Sequence, residues 1–257
     1  MKDQARPVVT YEEILKGKDL CPHRISGHKL LEIGESMILK VGYGVLMGEA
    51  EAMCLVRGLT STPVPKVLNA YMINDIGFIL MERVPGVSLE ECWEHLPEAS
   101  QKSITKQLNA YIHQWRNIEA SWEGESYQYG PFQLRKEFNE GVVLALKRSR
   151  PKGDLVNEED HLLAKRILAS GEHGQDERKI FTHGDLNPSN IIIDGDNMAG
   201  IVDWGVAGYS IAAREHFGMR WATNDPSWRD LSSTILPSDE YAFWVEVNYS
   251  MTDYTGI

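Results

Sequence analysis

Late in the chain, polar residues interrupt apolar runs at fixed places. The stretch F-T-H-G-D-L-N-P-S-N-I-I-I-D-G-D-N-M-A-G-I-V-D-W-G runs from Phe181 to Gly205 and carries Asp185, Asn190 and Asp203. It reads as strand, loop, strand, turn and strand, so the loop and the end of the following hairpin can bring two carboxylates and an amide to one point. Their hard oxygens suit Mg2+, which commonly shares such ligands with substrate phosphates. A carboxylate near a hydroxyl can orient it and accept its proton. A lysine can grip a phosphate chain, and Lys40 ends the apolar run M-I-L-K. Phosphoryl transfer asks for these parts: a phosphate chain held, its charge neutralised and the attacking hydroxyl in line. Each residue also has a plainer reading. Asp and Asn favour ordinary turns, and a strand-end lysine is usually solvated.

The elements that must position these residues follow from periodicity and punctuation. A short helix at Tyr11 to Lys16 is signalled by Thr10 as N-cap with Glu13 three residues on. K-L-L-E-I-G-E-S-M-I-L-K-V, from Lys29 to Val41, reads as two β-runs turning at Gly34 and Glu35. A helix between Gly44 and Gly58 follows, with Glu49 and Glu51 on different faces. T-S-T-P-V-P stops it. Strands at Lys66 to Met72 and Gly77 to Glu82 lead to a connector, where Ser88 and Glu91 have capping-box spacing. Helices are expected at Ile104 to Trp122, Gln133 to Lys147 and Glu158 to Ala169, with a Gly-Pro loop around Tyr127 to Phe132. Helical segments rich in Trp, Tyr and Phe run from about Ala207 to Tyr249. This order predicts an α+β protein in which a small β-rich lobe, residues 1–84, precedes a larger, mostly helical lobe, residues 85–257.

At 257 residues, with 42% hydrophobic and 25% charged content, the chain is an ordinary globular protein. Its 26 basic and 37 acidic residues leave a net charge of −11, which argues against nucleic acid or an anionic membrane as partner and is compatible with a cationic small substrate. Cys21, Cys54 and Cys92 have no C-x-x-C spacing, so neither a disulfide framework nor a structural zinc site is expected. The N-terminus leads into no apolar signal region. These features predict a cytoplasmic protein.

Protein kinases carry H-R-D-L-x-x-x-N followed by D-F-G. Here H-G-D-L-N-P-S-N, from His183 to Asn190, keeps the Asp and Asn spacing, and D-W-G follows at Asp203. With G-E-A-E-A-M, S-T-P-V-P-K-V-L and L-M-E-R-V-P-G, the chain resembles the aminoglycoside phosphotransferase and choline kinase group, its fungal members especially. The resemblance implies a two-lobed protein kinase-like fold. It also implies an ATP- and Mg2+-dependent transfer of phosphate to a hydroxyl of a small molecule, amine-bearing if acidic side chains line its pocket, with GTP as the alternative nucleotide.

Carried over residue by residue, the resemblance makes Asp185 the catalytic base and Asn190 and Asp203 the Mg2+ ligands. Lys40 would bind the α- and β-phosphates, oriented by Glu49, with Glu51 as the alternative. The carbonyl of Glu82 and the amide of Val84 would meet adenine. His183 is read as a structural brace. Glu137, Glu140, Glu159, Glu215 and Asp225 are candidates for the acceptor pocket, each with a solvated surface as its simpler reading. Trp221, Trp228, Tyr241 and Trp244 read as core. Three departures stand out: few glycines before Lys40, D-W-G where relatives often have D-W-E, and Y-S-I-A-A-R-E-H-F in place of a P-x-Y-W-E-like run. The last two are expected beside the acceptor pocket. A non-catalytic nucleotide-binding scaffold is the alternative function, and a protein kinase a second one.

Overall fold

The computed structural model describes residues 8–23, 27–119, 135–170, 180–221, 226–236 and 241–252. In chain order the first elements are α1 (Tyr11–Lys16), β1 (Lys18–Asp19), β2 (His28–Ile33), β3 (Met37–Gly42), α2 (Met47–Leu59), β4 (Val67–Ile73) and β5 (Ile76–Glu82). Next come β6 (Val87–Ser88), α3 (Leu89–Cys92), α4 (Glu98–Arg116), α5 (Arg135–Arg148), α6 (Glu158–Ala169) and β7 (Ile180–Thr182). The chain continues with β8 (Ile191–Asp194), β9 (Asn197–Ile201), β10 (Gly208–Ser210), α7 (Ala212–Trp221), α8 (Pro226–Ile235) and α9 (Tyr241–Thr252). Contacts divide the chain into two compact units, Met1–Ile118 with Asp185–Ala207, and Glu119–Gly184 with Gly208–Ile257. The Tyr127 to Phe132 loop lies outside the described residues. Among the described residues no helix is long and apolar enough to cross a membrane.

In the first unit, α1 carries the expected reciprocal cap. The Glu13 amide donates to the Thr10 hydroxyl, and the Thr10 amide donates to the Glu13 carboxylate. Strands β1 to β5 form an antiparallel sheet in the order β1-β2-β3-β5-β4. Leu31, Ile33, Leu39, Phe78 and Leu80 make an apolar cluster with Val9, and the Tyr71 ring stacks on Phe78 at 4.9 Å. Side chains alternate across a strand, so Lys40 leaves β3 on the face opposite Leu39, where it meets α2. Register fixes it further: Lys40 stands between Leu30 of β2 and Ile79 of β5.

Helix α4 begins six residues before the expected start at Ile104, because its first turn is polar and shows no apolar period. It ends at Arg116 rather than Trp122, where Asn117 closes it through its side-chain amide on the His113 carbonyl. Its buried stripe is Ser100, Ile104, Leu108, Ile112 and Trp115. Against this helix lies the β8–β9 hairpin. Gln107 on α4 donates to the Asp196 carbonyl and accepts from the Met198 amide, each at 3.0 Å. The Ile201 amide bonds to the Pro63 carbonyl at 2.8 Å.

In the second unit α5, α6, α7 and α9 share a core of Leu146, Leu163, Ala164, Ile167, Ile211, Phe217, Trp244 and Val247. Trp228 is fully buried and its indole N–H donates to the Met219 carbonyl. Trp228 and Trp244 are thus core, as expected. The side chains of Trp221 and Tyr241 lie outside the described residues. Arg150, in the breaker between α5 and α6, is buried and directs its guanidinium N–H groups to Asp160, the Ser149 hydroxyl, and the carbonyl and hydroxyl of Ser250. These bonds use all of the donors a guanidinium owns, so Arg150 ties α6 to α9 with none left for a ligand.

Replacing Arg150 by Leu would leave the Asp160 carboxylate unmatched in the interior, and a loss of about 3–5 kcal/mol in urea unfolding is expected. The Arg150 hydrogen bonds hold the Asp160 carboxyl below its usual range. A carboxyl so depressed stabilises the fold above its unfolded value of about 3.9 and withdraws that support as pH falls through the folded value. The thermal midpoint should therefore drop below about pH 4. Asp160→Asn should start lower and fall less steeply over that range. Parallel curves for the two proteins would remove Asp160 as the source.

Candidate active site

Lys40 and Glu49 are both buried, at 4% and 3% exposure, although strand-end lysines and helix glutamates are usually solvated. Lys40 Nζ donates to Glu49 Oε1 at 2.9 Å and Oε2 at 2.8 Å, and to Asp203 Oδ1 at 2.8 Å. The register of α2 thus turns Glu49, and not Glu51, to the lysine. Burial works against the ammonium charge, but the two carboxylates outweigh it and raise the Lys40 value above that of an ordinary lysine. Burial pushes the Glu49 carboxyl up, with Lys40 pulling the other way. Asp203 adopts a left-handed backbone with φ of +62°, an unusual state for a residue with a side chain. Its neighbour Trp204 is fully buried, packs edge-on against Trp115 at 5.5 Å, and donates from its indole N–H to the Ile201 carbonyl.

Asn190 enters the same hairpin at the open end where Asp203 leaves it, and Asp185 sits in the loop just before. β8 pairs with β9 from Ile191 opposite Ile201, and the Val202 amide donates to the Asn190 carbonyl at 2.9 Å. The residues flanking that pairing are therefore Asn190 on one side and Asp203 on the other. Asn190 Nδ2 donates to the Asp185 carbonyl at 2.9 Å and approaches Asp185 Oδ2 at 3.4 Å. Asn187 Nδ2 reaches the Asp185 carbonyl and Oδ1, both at 3.3 Å. Glu49, Lys40, Asp203, Asn190 and Asp185 thus form one connected series within the first unit.

The connector has no side-chain signature, and its backbone is fixed at the end of β5. The Glu82 amide donates to the Lys66 carbonyl and the Arg83 amide to the Ser36 carbonyl. Val84 packs on Gly200 of β9, where a Cβ would come within 2.8 Å of Val84 Cγ1. His183 is fully buried, and its amide with that of Gly184 donates to the Glu215 carboxylate at 2.9 and 3.1 Å. Glu215, considered from sequence for the acceptor pocket or a solvated surface, is neither; it is fully buried and clamps the two residues that precede Asp185. Glu140 lies exposed near Lys136, Glu159 is exposed on α6, and Asp225 lies outside the described residues.

The two departures expected beside the acceptor pocket make contacts of their own within the fold. A Cβ at Gly205 would stand 3.4 Å from both Asp203 Oδ1 and Glu49 Oε2, so this glycine borders the ion-pair cluster. The run Y-S-I-A-A-R-E-H-F supplies the Glu215 clamp.

Asp203, Asn190 and the charges around them fit a divalent cation. Two carboxylates face one ammonium, leaving net negative charge at the cluster. Asn190 spends Nδ2 on Asp185, and among the described residues no donor reaches its Oδ1. Among the described residues no group of three or more His, Cys, Asp or Glu could hold a metal. Mg2+ needs none where one or two side chains share it with phosphates and water.

Glu49→Gln should weaken the anchoring of Lys40 and lower stability in urea by about 1–3 kcal/mol. Glu51→Gln, two residues away and outside the lysine's contacts, should stay within about 0.5 kcal/mol. Equal losses would mean that Glu49 does not hold Lys40.

The model of the APH phosphotransferase enzyme family matches residues 42–231, a span that includes Glu49, Asp185, Asn190 and Asp203 and begins just after Lys40. No curated protein sequence matches the chain. Among solved structures, a thermostable mutant of aminoglycoside phosphotransferase APH(4)-Ia, in complex with ADP and hygromycin B, is similar with a TM-score of 0.68 at 13% identity, over 93% of this chain and 86% of the other. The streptomycin-ATP complex of APH(2'')-IIa gives 0.66 at 12% identity, covering 97% and 90% of the two chains. A protein provisionally named a fructosamine-3-kinase, from Haemophilus somnus, gives 0.64 at 14% identity, covering 94% and 85%. The fold is that of these kinase-like enzymes, and with the family model matched over most of its length the chain belongs to the APH phosphotransferase enzyme family.

Proposed function

We propose that the protein transfers the γ-phosphoryl group of ATP, with Mg2+, to a hydroxyl of a small molecule. The observation that supports this best is the connected series from Glu49 through Lys40 and Asp203 to Asn190 and Asp185. In this reading residues 1–84 form the nucleotide-binding lobe, and residues 85–257 carry the catalytic loop and the acceptor site. Lys40, kept charged and aimed by Glu49, holds the α- and β-phosphates. The Glu82 carbonyl and Val84 amide hold the adenine. Asn190 and Asp203 would hold Mg2+, which when bound neutralises phosphate charge.

Asp185 orients the acceptor hydroxyl and takes its proton at a carboxylate oxygen. The acceptor oxygen bonds to the γ-phosphorus, the bond from that phosphorus to the β,γ-bridging oxygen breaks, and ADP leaves with the electron pair. An amine-bearing alcohol is the acceptor class favoured by the chain's net charge of −11. The similar structures hold aminoglycosides, which are amines with hydroxyls. A cytoplasmic location completes the proposal.

The test is consumption of ATP, and of GTP in parallel, by the purified protein across amines, sugars and antibiotics. Tight Mg·ATP binding without turnover on any acceptor would favour a non-catalytic nucleotide-binding protein, and phosphate incorporated into a peptide array would favour a protein kinase. Asp185→Asn should lower kcat by at least roughly 100-fold while sparing nucleotide affinity. Asp203→Ala should weaken Mg·ATP binding itself, as read by calorimetry. An active Asp185→Asn enzyme would sink the base assignment.

A further inference from the structure

We propose that Asn187 is a positioning residue that holds the Asp185 carboxylate in place through its side-chain amide. Its reach is short and local, yet two different jobs are divided between its two polar atoms. The oxygen, Oδ1, accepts from the Ser189 amide at 3.0 Å and the Ser189 hydroxyl at 2.5 Å, capping the 3-10 turn Pro188–Asn190. Because a backbone N–H can only donate, the atom facing it must be the oxygen, and Nδ2 must face the other way. There it meets the Asp185 carbonyl and Oδ1 at 3.3 Å each. Asn187 is buried, so water competes poorly for that donor.

The turn alone does not need an amide. Ser or Asp would cap it equally well, since capping uses an oxygen only. What Asn adds is an N–H donor aimed at Asp185, complementing Asn190 Nδ2 on the other carboxylate oxygen at 3.4 Å. The two amides hold the carboxylate from both sides, and both lie in the same loop. The contacts with the carboxylate are long for hydrogen bonds, which suits a group that must also reach an incoming hydroxyl.

This inference rests on Asp185 being the base, and the variants separate the two assignments. Asn187→Ser keeps the cap and deletes the donor, so its urea midpoint should match the wild type. Its kcat for phosphate transfer, or for slow ATP hydrolysis, should fall roughly tenfold, with KM for Mg·ATP within about twofold of wild type. Asn187→Asp keeps the cap but sets a carboxylate against Asp185, and its kcat should fall further. A crystal structure of Asn187→Ser supplies a readout independent of turnover. The Asp185 carboxylate should be displaced or split between two conformers there, while wild type shows one.

Wild-type kcat in Asn187→Ser and Asn187→Asp, or a loss confined to KM, would overturn the proposal. So would an unmoved, single-conformer Asp185 in the Asn187→Ser crystal, and that result decides the matter even if no acceptor is ever found. Inactive wild-type protein, or an active Asp185→Asn, would instead remove the phosphotransferase reading while the crystal comparison still judged Asn187.

Discussion

A lysine ammonium hidden from water must be matched by negative charge within a few ångström, or it loses its proton. The Lys40 side chain is 6% exposed and meets this demand twice, through Glu49 and Asp203. Those partners come from α2 and from the segment after β9, the latter 163 residues away in sequence. One ion-pair cluster therefore requires the central strand of the sheet, the helix laid on it and the late hairpin to reside in a single unit. The same requirement explains why that unit is discontinuous, taking Asp185–Ala207 from beyond a stretch that belongs to the other.

The far end of the cluster is held by packing more than by charge. Asp203 sits in a backbone state that costs roughly 1–2 kcal/mol for a residue with a side chain. Trp204, fully buried against Trp115, contributes apolar burial worth at least about 1.5–3 kcal/mol. That is enough to keep the residue before it in its unfavoured conformation. Across the hairpin, the Val202 amide on the Asn190 carbonyl turns strand register into site geometry. A slip of one residue in β9 would reverse the faces of its side chains and separate Asn190 from Asp203.

What could be read from the sequence was local or strongly periodic. The caps at Thr10 and Ser88 depend on side chains three residues apart, and both formed. Strand positions from Lys29 to Glu82 came out within a residue or two, since alternation and prolines mark them. The choice between Glu49 and Glu51 was harder, because two residues are over half a turn of helix and the deciding partner is on another element. Asn187 and Glu215 went unrecognised for a different reason. Much of what they bind is backbone, the Asp185 carbonyl and the amides of His183 and Gly184, and a backbone group leaves no mark on residue type. The only available signal was Asn before Pro-Ser, which announces a turn and not its second use.

Gly205 shows how placement changes the meaning of a departure. As a letter after D-W it looked like a change in acceptor recognition. In space it borders the charges of Glu49, Lys40 and Asp203: a Cβ there would stand 3.4 Å from each carboxylate and 3.8 Å from the ammonium. A side chain carboxylate at 205 would add a third negative charge to a cluster with one cation, raising the repulsion that Lys40 already has to offset. Glycine leaves that balance to three residues, and the net negative charge that remains is the kind of surplus a divalent cation can neutralise. The departure therefore bears on the charge balance around Lys40. A fold shared by an aminoglycoside phosphotransferase and a protein provisionally named a fructosamine-3-kinase leaves acceptor choice to local side chains rather than to the framework.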